Sequence, residues 1–164
     1  MALNAFLILK GQKQGEIHGS VTQKGRENSI LVHSFSHEIV SPRDPASGLP
    51  TGRRQHKPLV ILKEIDKSSP LLFAALVNNE NLVTWELRFW EPGGAPAGVE
   101  KQTYTIKLTN ANITSIRESM LDNEDPANAK LPLRQEISFT YQKIEWTWME
   151  GGITAQDDWS SAVT

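Results

Sequence analysis

The chain has 164 residues, no cysteine and a formal net charge of −2. Its length suits a single domain with its own core, since a chain of this size buries roughly 70% of its unfolded surface. Without thiols there is no disulfide, thiolate zinc site or cysteine nucleophile, and the acidic balance is a poor electrostatic match for nucleic acid.

No apolar run approaches the ~20 residues of a membrane helix, so no membrane insertion is expected. The start, "MALNAFLILKG", is apolar but has no basic leader and no small-residue cleavage site. It reads as a first strand over 3–10, ended by Gly11, and not as a signal peptide. Any export would therefore bypass the general route.

Residues 11–28 are polar, with four glycines, and read as loop with at most one short strand. "SILVHSFSHEIV" (29–40) alternates with Leu31, His33, Phe35, His37 and Ile39 on one face, predicting one strand. The stretch 41–55 carries three prolines and two glycines and no period. It reads as a long loop, of the kind that is usually functional or mobile. "HKPLVILKEID" (56–66) is a strand with Leu59, Ile61 and Ile65 in phase.

"SSPLLFAALVNN" (68–79) switches period. Ser69 suits a helix N-cap and Pro70 the first helical position. Leu72, Phe73, Leu76 and Val77 form the stripe, and Asn78 and Asn79 suit the stop. This is the one convincing helix. Strand 81–91 follows, with Val83, Trp85, Leu87 and Phe89 on one face and Trp90 on the other. After a turn at 92–98, Tyr104, Ile106 and Leu108 share a face over 101–109. An acidic loop, 122–132, leads into "EISFTYQKIEWTW" (136–148), and "GGITAQDDWSSAVT" closes the chain as a Gly-rich turn and short tail, 151–164.

The count is about seven or eight mostly antiparallel strands and one helix, which describes a mainly β barrel or sandwich with a helix on its outside. Two of the strands, 101–117 and 134–148, lose alternation partway. A β-bulge turns every later side chain over, and barrels bend strands at such points. Either the strand crosses a corner and still faces the core, or its far end faces another subunit. Ile144, Trp146 and Trp148 on one strand, with Leu82 and Trp90 on another, are the outward-facing candidates, because monomers rarely leave large apolar patches bare.

Known catalytic and cofactor patterns are absent: there is no G-x-S-x-G, P-loop, G-x-G-x-x-G or H-E-x-x-H. His33 and His37 are spaced like helical metal ligands, but four residues of strand span about 13 Å, too far for one ion. "GRRQHK" (52–57) reads as a solvated loop end, or as a basic surface that meets an acidic one on a neighbour. "DNED" (122–125) lacks the Gly and Glu of a calcium loop. Asp157 and Asp158 point to opposite sides if the tail is extended. No catalytic residue, metal or cofactor is expected.

Taken together, "KPLVILKEIDKSSPLLFAAL", "TYTIKLTNANITSI", "EISFTYQKIEWTW" and "GGITAQDDW" resemble the hemolysin-coregulated protein family, Hcp, the tube subunits of bacterial type VI secretion. The resemblance covers nearly the whole chain, as one domain of residues 1–164. It implies a small antiparallel β-barrel of two packed sheets with one flanking helix, similar to phage tail-tube proteins. It also implies a homohexameric ring, rings stacked into a tube, and a VgrG-type spike, contractile sheath and baseplate as partners. Effector proteins would be chaperoned in the lumen. Assembly is expected in the bacterial cytoplasm, with export through the type VI apparatus. Some relatives carry a toxic domain after the barrel; this chain has no room for one past "QDDW", so a structural, non-enzymatic subunit is expected.

A ring needs heterologous contacts between two different surfaces of each copy, for which Leu82, Trp90, Ile144, Trp146 and Trp148 are the candidates. Loop 41–55, with Arg43, Asp44, Arg53 and Arg54, is the candidate for ring stacking. Thr114 and Ser115 are the candidates for lumen and effector contact. The alternative is a monomeric β-barrel that binds a small ligand among its aromatic residues.

Overall fold

The structure, a computed structural model, describes residues 4–93 and 99–160. Most of the expected turn at 92–98 and the end of the tail therefore lie outside the described residues. In chain order the elements are β1 (Asn4–Gly11), β2 (Gly15–Ile17), β3 (Ile30–Val32), β4 (Ser34–Ser36), β5 (Ile39–Val40), β6 (Gln55–His56), β7 (Leu59–Glu64), α1 (Ser69–Val77), β8 (Leu82–Pro92), β9 (Glu100–Thr109), β10 (Asn112–Ser119), a single 3-10 turn (Pro126–Asn128), β11 (Arg134–Thr140), β12 (Lys143–Trp148) and β13 (Ile153–Asp158).

All pairings are antiparallel. A large sheet runs β13-β12-β9-β8-β1, with β2 and β3 both pairing the far side of β1. A smaller sheet runs β10-β11-β7-β4, and β5 and β6 form a two-stranded ribbon. The two main sheets pack face to face and are not joined into one closed ladder. Trp85 of the large sheet meets Phe139 of the small one edge to face, ring centroids 5.4 Å apart. Around this pair lie Leu7, Leu9, Leu59, Ile61, Leu87, Ile106 and Ile137, all buried.

Both phase slips are sheet changes. The chain leaves β9 in the large sheet and enters β10 in the small one through Asn110, whose φ of 52° gives the left-handed bend. It returns from β11 to β12 through Tyr141 and Gln142. The apolar side chains turn over because the core now lies on the other side of the strand. A bulge also exists, at Thr114 between Ile113 and Ser115, and it brings Ile116 opposite Ile137.

The expected strand 29–40 is instead three short strands in three sheets, and its phase is reversed. Ile30 and Val32 are buried, whereas Leu31, Phe35 and Ile39 are exposed. On β8 a register shift opposite Lys10 and Gly11 turns Leu82 inward and leaves Val83 exposed. In α1 the cap position is Ser68, not Ser69, and Val77 is solvent-facing while Leu72 and Ala75 enter the core. Ser69 lies in the first turn, where its hydroxyl accepts from buried Lys63. The expected tail is a strand for its first half: β13 pairs with the whole length of β12.

Candidate assembly surfaces

The core-side face of the large sheet is laid out in rows across β13, β12, β9, β8 and β1. One row reads Asp157, Ile144, Leu108, Trp85, Leu9; the next Ala155, Trp146, Ile106, Leu87, Leu7; the third Ile153, Trp148, Tyr104, Phe89, Ala5. In each row the β13 residue is the most exposed. In the third row Phe89 is buried and Tyr104 half-buried, while Trp148 is 44% exposed and Ile153 69%. The large sheet reaches past the small one at this corner. The apolar face that made the core therefore continues, uncovered, onto an edge strand, with Met149 exposed beside it.

This layout sorts the expected interface residues. Leu82 and Ile144 have no exposed surface, and both belong to the core. Trp146 packs against the core from its margin. Trp90 lies on the opposite face of the sheet, half-buried, with the Arg26 guanidinium 4.4 Å from its ring centre and 5.2 Å from that of Phe6. Arg26 is also paired with Glu100, so the chain covers Trp90 itself. Trp148 alone of the five is well exposed, and the sequence pattern missed its partner Ile153 because 151–164 read as a tail.

Loop 41–54 rises from the β5–β6 ribbon. Its tip is a turn in which the Asp44 amide donates to the Leu49 carbonyl at 2.8 Å and the Asp44 carboxylate accepts from Ala46 and Ser47. The Ser47 hydroxyl does most to hold the Asp44 carboxyl below its ordinary range. Arg43 and Leu49 are exposed. The base of the loop is bound to its own chain: Arg54 makes a fork to Asp157 at 2.6 and 2.9 Å, and Arg53 donates to the Trp159 carbonyl at 3.2 Å. The basic cluster thus meets the acidic end of β13, where the sequence suggested solvent or a neighbour.

A second layer of polar contacts lies beneath that fork. His56, whose side chain is 1% exposed, places Nε2 2.7 Å from the Asp157 carboxylate and Nδ1 2.7 Å from Tyr141 Oη. His37 Nε2 lies 2.7 Å from the same phenol oxygen. Arg54, then His56, hold the Asp157 carboxyl below its usual range. Burial, then the Asp157 charge, pushes the Tyr141 phenol well up, and burial, then His56, pulls His37 down. In the sequence His37, "GRRQHK" and "QDDW" are separate features, and nothing in their spacing joins them.

At the other end of β7 the chain forms loop 120–133. Loop 41–54 sits where Leu59 pairs with Phe139, and loop 120–133 where Glu64 pairs with Arg134. The six-residue strand β7, roughly 20 Å long, separates them. Loop 41–54 carries Arg43, Arg53 and Arg54 against Asp44; loop 120–133 carries Asp122, Glu124 and Asp125 against Lys130. It also exposes Met120, Leu121 and Leu133. Thr114 and Ser115 are exposed at the bulge on β10, an edge strand of the small sheet, and Thr114 donates to the Ser138 carbonyl at 3.2 Å.

Residues 6–148 match the family model described as type VI secretion system effector, Hcp. The "Major exported protein" of Pseudomonas aeruginosa is 41% identical, across 99% of both chains. A solved structure described as Hcp protein superposes with a TM-score of 0.89 at 30% identity, over 98% of this chain and all of that one. Secreted protein Hcp3 of Pseudomonas aeruginosa gives 0.78 at 32% identity, again over 98% of this chain and all of the other.

Proposed function

The chain belongs to the Hcp family, the tube proteins of type VI secretion, and from that premise we propose that six copies close into a ring whose lumen carries and chaperones effector proteins. The observation that carries this reading is the uncovered row Trp148–Ile153. An apolar face that continues a core onto an edge strand favours a neighbour over water, and an edge strand otherwise invites uncontrolled pairing. Trp148, Ile153 and the margin of Trp146 form one side of a heterologous contact, and a different surface of the next copy forms the other.

Rings then stack through their ends. Arg43, Asp44 and Leu49 at the tip of loop 41–54 meet loop 120–133 of a copy in the next ring, while Arg53 and Arg54 hold the base of the loop. Exposed Arg43 at one end and the acidic loop 120–133 at the other favour head-to-tail order, and exposed ion pairs of ~0–1 kcal/mol each keep the contact reversible. Thr114 and Ser115 face the lumen. The subunit is structural and has no catalytic role. It assembles in the cytoplasm with a VgrG-type spike, sheath and baseplate and leaves through the apparatus.

Light scattering with negative-stain imaging tests the ring. The wild-type chain should give a six-fold particle, and Trp148→Glu a folded monomer. A wild-type protein that stays monomeric at high concentration overturns the reading.

A further inference from the structure

The contacts beneath Arg54 have a proton count that the tube reading does not use. Tyr141 Oη is 2.7 Å from His37 Nε2 and 2.7 Å from His56 Nδ1. A phenol has one hydrogen and an oxygen that accepts. With both imidazoles neutral, every hydrogen has a place. His56 donates from Nε2 to Asp157, its bare Nδ1 accepts the phenol hydrogen, and His37 donates from Nε2 to the phenol oxygen.

One added proton is still accommodated. His56 then donates from Nδ1 to the phenol oxygen, the phenol hydrogen turns to His37, and His37 takes the tautomer with Nε2 bare. A second proton has no such solution. Both facing nitrogens become donors, both point at one oxygen, and the phenol hydrogen loses its acceptor in a buried site. The two cations also lie within about 5.4 Å of one another, twice 2.7 Å, and repel.

The surrounding charges do not rescue that state. Asp157 is already paired with Arg54, a third cation facing the same carboxylate. Asp158 is turned to Ser160 and Gln142, and Glu38 is paired with Lys57 outside the cluster. The phenol of Tyr141 does not ionise to help, because burial favours its neutral form.

We propose that His37, Tyr141 and His56 form a two-proton latch that holds the β5–β6 ribbon, and with it the base of loop 41–54, on the β11–β12 corner at neutral pH and releases it in acid. The parts come from four places in the chain: His37 just before β5, His56 on β6, Tyr141 at the β11–β12 corner, and Asp157 on β13. Releasing the latch uncouples the ribbon β5–β6 from the β11–β12 corner, while the contacts of Arg54 and His56 to β13 and of Arg53 to Trp159 remain. The latch itself rests on the geometry alone; its consequence, that acid loosens stacked rings, rests on the stacking role given above to loop 41–54.

Trp159 is a built-in reporter. Its ring lies 5.6 Å from that of His56, and its Nε1 donates to the Tyr141 carbonyl. Fluorine NMR of the full chain grown with 5-fluorotryptophan, titrated from about pH 8 to about pH 4.5, reads it directly, with Trp159→Phe assigning the signal. The wild type should show one transition below about pH 6.5, with a Hill slope near one, because the closed latch already accommodates the first proton and only the second opens it. His37→Gln presents an N–H or a C=O to the phenol and takes no proton, so the second proton that opens the latch has no site and the transition should be lost. Tyr141→Phe, which keeps the ring and removes the shared oxygen, should abolish the opening transition.

A Trp159 signal that does not move in this range overturns the latch, as does a His37→Gln protein that titrates like the wild type. Sedimentation of the same samples separates the two readings. A Trp159 transition with particle size unchanged keeps the latch and removes its link to stacking. Particles that come apart without a Trp159 transition overturn the latch and leave the stacking role standing.

Discussion

The Lys63 ammonium, with no exposed surface, lies 3.0 Å from the Asp66 carboxylate across the turn that starts α1. It also donates to Ser69 Oγ at 3.0 Å, to Gln135 Oε1 at 3.1 Å and to the Glu64 carbonyl at 2.9 Å. Burial pulls its pKa down, and Asp66 works against that. Removing one partner of a buried pair strands the other charge, at about 3–5 kcal/mol. Asp66 keeps some exposure and its Ser68 donors, so it tolerates isolation better than Lys63 does. Asp66→Asn should therefore destabilise more than Lys63→Met, as read from urea unfolding at neutral pH.

The core and the overhang should respond in opposite ways. Leu82→Ala and Ile144→Ala should each lower stability by about 2–5 kcal/mol, the range for emptying a buried aliphatic site, with particle size unchanged at temperatures where the variants remain folded. Trp148→Ala and Ile153→Ala should leave the unfolding of the isolated subunit near that of the wild type and shrink the particle. Thermal unfolding beside light scattering separates the two pairs.

Stacking by charged loop tips should weaken with salt, because the screening length shortens from about 8 Å at physiological ionic strength to about 3 Å at 1 M. Ring closure by the apolar row should persist. Arg43→Glu should shorten stacks, and adding Asp122→Lys and Glu124→Lys to it should restore them. Electron microscopy of stack length across a salt series measures both effects.

Stability should fall on the acid side of neutrality. His37 has its folded pKa depressed by burial and by His56, so the unfolded chain binds this proton more readily than the folded one. Its contribution is complete above about pH 6.5 and is lost as pH drops through the folded value. Asp157, also depressed, adds a second loss below about pH 4 for the same reason. Denaturation midpoints should be level between about pH 7 and 9 and decline below, and His37→Gln should flatten the first decline.

Much of this molecule can be read from its residues in order. Alternation placed Ile137, Phe139 and Tyr141 on one buried face and Trp85, Leu87 and Phe89 on another. The period switch located the helix, and the two lost phases marked positions near 110 and 142 where the chain does change course. Four quoted stretches sufficed to indicate the family. These features are local: they follow from side-chain direction along a strand or helix, which depends only on near neighbours in the chain.

Alternation says which side chains share a side, but not what lies opposite. Leu82 and Ile144 turned inward because a register shift and a change of sheet put the core on their side, and Trp148 stayed exposed because the small sheet ends before reaching it. The short pieces 30–32, 34–36 and 39–40 joined three different sheets, which no period of two distinguishes. His37, His56, Tyr141 and Asp157 meet only when both corners and the loop ribbon are folded. Only the tertiary structure decided these points, because each is a relation between distant segments, set by which surfaces the packed sheets cover and which they leave to a neighbour.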